Sequence, residues 1–249
     1  MITVNDIFKF LCEMFPLESA CDYDNPGLLV GDGNAAVEKA LIALDCTFDA
    51  IKRAEKFGAQ LIITHHPVIW DGLKSVTAQS TVFRLIRSGI SVISMHTNLD
   101  VAAGGVNDCL CERLGLKNVS VFTAEDGFEI RQGVSPVKNP DKLAEHIKSR
   151  LGGGVKYFAG KGDVNRVLVC SGSGGEFIAD AINHGFDALI TADVKHDKFI
   201  TAVNYGISLY DAGHFESEDV ITDRLRDILL SKFTDAEFTV FHPNDIKTV

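Results

Sequence analysis

The sequence has little positive charge, and its basic residues are not clustered. The 249 residues include 24 Lys and Arg against 34 Asp and Glu, which gives a formal net charge of −10. Proteins that bind the phosphate backbone of DNA or RNA need a surface on which Lys and Arg are concentrated. The sequence contains neither a basic run nor a basic-aromatic patch, so we expect no nucleic-acid partner.

Paired cysteine motifs and long apolar stretches are also missing. The six cysteines are scattered without a CxxC pair, and a chain of this length does not depend on a disulfide framework. No apolar run is long enough to cross a bilayer. Near the N-terminus Asp6, Lys9 and Glu13 interrupt the apolar residues, which recur at helical spacing rather than as a signal-peptide core. We therefore expect reduced thiols, no membrane partner and a cytoplasmic location.

The sequence does have a regular alternation of strand-like and helix-like segments. Short apolar runs predict strands over residues 39–44, 60–63 and 90–94. Amphipathic segments between them predict helices over 48–57 and 81–88. This order is typical of βαβ units that build a largely parallel sheet.

The second half of the chain repeats this plan. Residues 166–170 and 187–190 are predicted as strands, with a helix over 176–183 between them. Alignment of the two halves places Gly58 on Gly185, each in the turn that precedes a strand. The spacing of later landmarks differs between the halves, which indicates a divergent internal duplication rather than a tandem array.

We therefore predict an α/β fold of two similar βαβ-based lobes. The first lobe is assigned to residues 1–124 and the second to 125–249. The segment from about 125 to 160 is expected to connect the halves. The C-terminal segment is a candidate to pack on the first lobe.

Two adjacent histidines, His65 and His66, follow an apolar strand and precede Pro67, which ends it. Within a strand, neighbouring side chains point to opposite faces, but just past the strand end both rings can face one cavity. The dipeptide alone is equally consistent with a polar strand end. In open α/β sheets, however, ligands collect beyond the carboxyl ends of the strands.

Two further histidine–carboxylate pairs follow later strands. His96 and Asp100 are four residues apart, as are His214 and Glu218, so a helical turn places each pair on one face. Histidine with carboxylate and no thiolate suits Zn, Mn, Fe or Ni. These candidate ligands exceed what one tetrahedral ion needs, which favours two divalent metal ions per subunit.

Five motifs occur in this order along the chain: DYDNPGLLVGD, ITHHPVIW, SMHTNLDVAAGGVND, CSGSGG and YDAGHFESE. In these motifs the sequence resembles the type 2 GTP cyclohydrolase I family, also called the interacting-factor-three-like family of dinuclear metal proteins. The resemblance implies a two-lobed α/β fold, a dinuclear metal site in the cleft between the lobes and a toroidal homohexamer. It fits the short form, which lacks an inserted middle domain.

By motif, the resemblance implies metal ligands at His65, His66, Asp100, His214 and Glu218. It further implies that Glu218 bridges the two ions. His66 and Asp100 would share one ion, and His65 and His214 the other.

The activity implied by the resemblance is hydrolysis of GTP, in which a metal-activated water opens the guanine imidazole ring and formate is released. The same donor set would serve a metal-dependent phosphatase or phosphodiesterase. A third alternative is a regulatory or scaffold protein that binds metal without turnover. His96, Asp193 and His196 are candidates for proton transfer, since each is expected near the mouth of the cavity.

One segment departs from the family pattern. Members commonly carry Thr-Gly-Asp with a histidine four residues after the aspartate. Here Ala192 precedes Asp193, position 197 is aspartate, and His196 stands one place early. The role of this segment therefore stays open.

Three other positions have two interpretations each. Asp45 either orients a ligand histidine or caps the following helix. Asn25 either lines the cleft or belongs only to an Asn-Pro-Gly turn. The glycine-rich loop Ser171–Gly175 either contacts a phosphate or makes a tight turn.

Overall fold

The computed structural model describes residues 1–243, which form two units. Unit 1 comprises Met1–Ala102 with Ile221–Pro243, and unit 2 comprises Ala103–Val220. The α-helices are α1 (Val4–Met14), α2 (Phe48–Phe57), α3 (Thr81–Ser88), α4 (Thr97–Val101), α5 (Val106–Leu114), α6 (Pro140–Leu151), α7 (Ile178–Asn183), α8 (His196–Tyr205), α9 (His214–Glu218) and α10 (Val220–Lys232). The strands are β1 (Gly27–Val30), β2 (Lys39–Ala43), β3 (Leu61–Thr64), β4 (Ser91–Ser94), β5 (Lys117–Thr123), β6 (Glu129–Val134), β7 (Lys156–Phe158), β8 (Arg166–Val169), β9 (Ala188–Thr191), β10 (Ser208–Asp211) and β11 (Glu237–Phe241).

Unit 1 is built on a five-stranded sheet in the order β1–β4–β3–β2–β11. Strands β4, β3, β2 and β11 run parallel, and β1 is antiparallel to β4. Leu41, Ile62 and Val92 lie side by side across the three central strands and are fully buried. The near-continuous apolar runs of these strands are what a sheet buried on both faces requires.

The helices of unit 1 begin and end where local signals place them. The Thr47 hydroxyl accepts a hydrogen bond from the Ala50 amide at 3.1 Å, which caps α2. The helix ends at Gly58, whose φ of +76° favours glycine. Ser80 caps α3 in the same way, through the Phe83 amide at 3.2 Å. Both helices therefore have the bounds predicted from the sequence.

Unit 2 contains a six-stranded sheet in the order β5–β6–β8–β9–β10–β7. Its parallel strands β8, β9 and β10 align Leu168, Leu189 and Leu209 in one buried row. The series β8–α7–β9–α8–β10–α9 repeats the series β2–α2–β3–α3–β4–α4 of unit 1. In each unit the last parallel strand has an antiparallel partner, β1 on β4 and β7 on β10. The predicted α/β fold with two similar βαβ-based units is confirmed.

The division of the chain differs from the expected boundary at 124/125. Unit 1 consists of two segments of the chain, of which the first ends at Ala102 and the second begins at Ile221. The second segment belongs to unit 1 because its strand β11 pairs with β2. The segment expected to connect the halves is part of unit 2, because β6, α6 and β7 lie within it and both strands join its sheet. Sequence reasoning missed β5 because most of its side chains are exposed, which removes the apolar pattern of a buried strand.

The described helices are each too short or too polar to span a bilayer. Within residues 1–243, none of the six cysteines forms a disulfide. Burial, with the nearby charge of Asp45, raises the pKa of Cys46 to about 12. That side chain therefore remains a neutral thiol at physiological pH.

Candidate metal centre

His65 and His66 follow β3 directly, in a turn where the backbone leaves the sheet. The Thr64 hydroxyl donates to the His66 carbonyl at 2.8 Å, and the His66 amide donates to the Leu44 carbonyl at 3.1 Å. These bonds turn the chain so that the two imidazole centroids lie 5.0 Å apart. Both rings therefore occupy one region of unit 1, as the position past the strand end predicted.

Each of these two rings has an oxygen acceptor beside its Nδ1 atom. His65 Nδ1 lies 2.9 Å from the Met95 carbonyl oxygen, and His66 Nδ1 lies 2.8 Å from Asp45 Oδ1. Since these oxygens only accept, Nδ1 carries the proton and Nε2 of the neutral ring carries the lone pair. Asp45 thus orients a histidine, while the cap of α2 is Thr47.

His96 joins this group through an aspartate that sequence reasoning did not single out. His96 Nδ1 lies 2.9 Å from Asp24 Oδ1, and the Thr97 amide donates to Asp24 Oδ2 at 2.9 Å. Burial acts to raise the pKa of Asp24, but these hydrogen bonds and the His96 charge outweigh it, so the net pKa is well below its usual range. Asp24 is part of the DYDNPG motif, which the sequence analysis did identify. Its contact with His96 could not be predicted, because the two residues are 72 positions apart in the sequence.

The histidines of unit 1 form a group with metal-ligand spacing. His65, His66 and His96 each offer a ligand atom within 4.8 Å of the others. Asp100, on α4, brings Oδ1 to 3.6 Å from His65 Nε2. Asp100 therefore lies beside the histidine pair, as its place in the motif predicted.

Unit 2 holds a second histidine–carboxylate group on α9. His214 Nε2 lies 2.9 Å from Glu218 Oε2, as the four-residue spacing predicted, and His214 Nδ1 lies 2.6 Å from Asp193 Oδ2. Burial alone would lower the pKa of His214, but hydrogen bonds to both carboxylates and their charges raise it to about 9. The ring is therefore an imidazolium at pH 7 when no metal replaces the Nε2 proton.

The glycine-rich loop of unit 2 packs against Glu218. A Cβ atom on Gly172, whose φ is +57°, would meet Glu218 Oε1 at 2.0 Å. The Gly172 amide donates to the Ser217 hydroxyl at 3.1 Å, and the Gly174 amide donates to the Thr191 hydroxyl at 2.9 Å. Because these amides are engaged within the protein, the loop is a tight turn that shapes the surroundings of Glu218 rather than a phosphate cradle.

The remaining predicted residues of unit 2 lie in different surroundings. Asp193 has a positive φ of 49°, which aspartate tolerates better than most residues, and it contacts His214. His196 is exposed at the first residue of α8. Among the described residues, no hydrogen bond or ion pair links His196 to Asp193 or His214.

One more group in unit 2 has metal-ligand spacing but a structural explanation. Glu125, Asp180 and His184 offer ligand atoms within 4.8 Å of one another. Asp180 Oδ1 accepts the Glu125 amide at 2.8 Å, and Asn183 donates to Glu125 Oε1 at 3.0 Å. These bonds attach α7 to the chain before β6.

The two groups share a chemical pattern that suits a divalent cation. His65, His66, His96 and His214 all have Nδ1 beside a carbonyl or carboxylate oxygen. Histidine ligands in metal sites have this arrangement, which fixes the tautomer and makes Nε2 a better donor. Carboxylates complete each group, at Asp100 in unit 1 and Glu218 in unit 2. The fold and these groups define an α/β protein with histidine–carboxylate clusters suited to metal binding.

Comparison with known proteins places this chain within a family. The model of the family described as Duf34/NIF3 (NGG1p interacting factor 3) matches residues 2–245. The chain belongs to this family.

Relatives and solved structures agree with that assignment. A Clostridium perfringens protein named GTP cyclohydrolase 1 type 2 homolog is 33% identical to this chain, and the alignment covers 95% of both sequences. The structure of the Staphylococcus aureus hypothetical protein SA1388 superposes with a TM-score of 0.89 at 26% identity, covering 99% of each chain. Reduced HcgD from Methanocaldococcus jannaschii gives a TM-score of 0.84 at 28% identity, covering 96% of this chain and 97% of that one.

Proposed function

We propose that the protein is a metal-dependent hydrolase whose two histidine–carboxylate groups are halves of one dinuclear site. The observation that carries this proposal is the anchoring of four imidazoles at Nδ1, by Met95, Asp45, Asp24 and Asp193. Anchoring of this kind costs side-chain freedom and is typical of metal-binding histidines. The likeness to relatives named as GTP cyclohydrolase homologs supports the same proposal.

In this proposal His65, His66, Asp100, His214 and Glu218 would hold the cations, as the family resemblance implies; the donor atoms of His65 and Asp100 lie 3.6 Å apart. Divalent cations in such a site supply Lewis acidity that activates water and stabilises developing negative charge. Zn, Mn, Fe and Ni all suit these ligands.

The other polar residues act on protons and on orientation. Asp45 and Asp193 hold His66 and His214 in the tautomer that presents Nε2. His96, held by Asp24, is placed beside both ligand histidines with its ring centroid 5.0 Å from that of His65. It is the better candidate for proton transfer, because exposed His196 has no comparable support.

The reaction we propose first is ring opening of GTP with release of formate. The alternatives are a phosphatase or phosphodiesterase and a metal-binding regulatory protein without turnover, since the same ligands serve all three. From the family resemblance we also propose that the protein is cytoplasmic and forms a homohexamer. Light scattering on the purified protein would measure the number of subunits.

The test compares wild type with Glu218→Gln. Elemental analysis of each protein is followed by incubation with GTP, with detection of formate and of inorganic phosphate. Metal bound by wild type and reduced in the variant, with formate from wild type alone, supports the cyclohydrolase. Phosphate without formate moves the assignment to phosphoester hydrolysis. Bound metal with neither product favours the regulatory protein, and failure to bind metal after reconstitution overturns the proposal.

A further inference from the structure

The loop that follows His66 presents an exposed indole beside the histidine group of unit 1. Trp70 is the one tryptophan of the chain, and 51% of its surface is exposed. Its ring centroid lies 5.0 Å from that of His96, with the planes at 88°, and 6.5 Å from that of His66. A large aromatic surface is therefore accessible next to side chains with metal-ligand spacing.

The position of Trp70 is fixed from the same motif that fixes His96. Asn25 Nδ2 donates to the Ile69 carbonyl at 2.7 Å, directly before the tryptophan. Its neighbour Asp24 accepts from His96 Nδ1 at 2.9 Å. The two consecutive residues thus hold the His96 ring and the backbone that leads into Trp70. Asn25 is more than a turn residue, because its side chain supports this loop.

Packing does not account for Trp70. A core tryptophan would be largely buried, whereas this one has half its surface exposed. Leu73, in the same loop, is equally exposed at 51% but has no aromatic ring with which to stack on a ligand. What distinguishes Trp70 is a defined position beside the candidate site.

We propose that Trp70 stacks on a planar heteroaromatic ring of the ligand and that Asn25 is the positioning residue for this contact. The inference rests on the proposed function, in which His66 holds a cation and His96 transfers protons. Stacking of a base on an aromatic side chain depends on the π-face and tolerates different ring substituents. Sugars and phosphates offer no such face, so the substrate class is defined by its ring.

Because Trp70 is the one tryptophan, its fluorescence reports on this contact without interference. The probes are guanosine 5′-monophosphate and ribose 5-phosphate, which differ in the ring. We expect saturable quenching by the nucleotide and no quenching by the sugar phosphate at the same concentration. Equal responses to both probes, or no response to either, would overturn the proposal.

Calorimetry then measures the nucleotide affinity of variants that lack the fluorophore. Trp70→Ala is expected to weaken binding of the nucleotide about tenfold or more, the loss expected for one stacked base. Trp70→Phe keeps an aromatic face and should bind within a few-fold of wild type. Leu73→Ala is the matched control from the same loop. If Trp70→Ala binds the nucleotide as Leu73→Ala does, the stacking role is wrong.

Asn25→Ala tests the positioning role. The measurement is the fluorescence anisotropy of Trp70 in the folded protein, which reports the mobility of the indole rather than the stability of the fold. We expect lower fluorescence anisotropy of Trp70 in the free protein, together with weaker nucleotide binding and an unchanged metal content. Unchanged anisotropy would contradict the role of Asn25. Failure of the two proposals is distinguishable: nucleotide binding that depends on Trp70 in a protein without metal removes the hydrolase but keeps the stacking. Bound metal, with equal binding of the nucleotide and the sugar phosphate, removes the stacking proposal but keeps the hydrolase.

Discussion

At the scale of single residues, the acceptors beside the histidines decide which nitrogen can bind a cation. Asp45 and Asp24 come from different loops of unit 1, yet each contacts the Nδ1 atom of one ring. Outer acceptors of this kind fix the orientation of a ligand and raise its basicity. Their loss should therefore weaken metal binding without removing a ligand.

Replacement of Asp45 tests this directly. We expect Asp45→Ala to lower metal affinity about 10- to 100-fold, because His66 loses the acceptor at its Nδ1. Competition with a chelator of known affinity measures the change. Asp49→Ala is the control, since Asp49 pairs with Lys52 at the surface of the same unit. Equal affinities in the two variants would show that His66 does not need Asp45, or is not a ligand.

The pH dependence of metal binding follows from His214. In the metal-free chain its pKa is raised to about 9, so a proton occupies Nε2 at neutral pH and competes with the cation. Metal affinity should therefore rise with pH up to about 9 and level off above it. Titrations at several pH values compare wild type with His214→Gln, which should lose this part of the dependence. A wild-type affinity that does not change over this range would contradict the assignment.

At the scale of elements, the turn Ser171–Gly175 and helix α9 form one arrangement around Glu218. Gly172 has a positive φ, and its missing Cβ leaves room for the Glu218 carboxylate. The Gly172 amide also anchors Ser217, the residue before that glutamate. The geometry of the carboxylate therefore depends on a glycine that is distant in sequence.

Gly172→Ala should shift Glu218 as well as strain the backbone. We expect loss of bound metal and a decrease in unfolding free energy larger than the roughly 1–2 kcal/mol cost of a left-handed alanine. Gly185→Ala is the matched control, because Gly185 has a φ of +66° but open space at the Cβ position. Gly185→Ala should lose only the unfolding free energy that the left-handed alanine costs, and it should still bind metal. Urea unfolding and elemental analysis measure both quantities; metal retained by Gly172→Ala would contradict the account.

The elements differ in how well the sequence predicts them. Helices α2 and α3 are predictable to the residue because Thr47, Ser80 and the glycines after them are local signals. The pairing of Asp24 with His96 is not predictable by such means, since only the folded chain brings these positions together.

At the scale of the whole molecule, the chain does not divide at one point. Residues Ile221–Pro243 belong to unit 1, where β11 pairs in parallel with β2 from Lys39 to Ala43. A parallel edge strand supplied from the far end of the sequence carries no local signal of its partner. Sequence reasoning could therefore name the C-terminal segment only as a candidate to pack on the first lobe.

A truncated chain that ends at Phe233 tests how much β11 contributes to the stability of unit 1. It loses β11 and the burial of Phe238, which by itself contributes about 1.5–3 kcal/mol. We expect a lower unfolding midpoint and faster proteolysis within residues 1–102. The control ends at Pro243 and keeps all of β11, so it should behave as the full chain does. Identical stability of the two truncated chains would show that β11 is dispensable.

The most direct measurement of the central claim is anomalous X-ray diffraction from crystals of the metal-loaded protein, recorded at the absorption edge of the bound metal. The account predicts anomalous peaks about 2.0–2.2 Å from the Nε2 atoms of His65, His66 and His214, with Asp100 and Glu218 supplying oxygen ligands. Peaks bound through Nδ1, peaks only at other residues, or no peak after metal loading would contradict it.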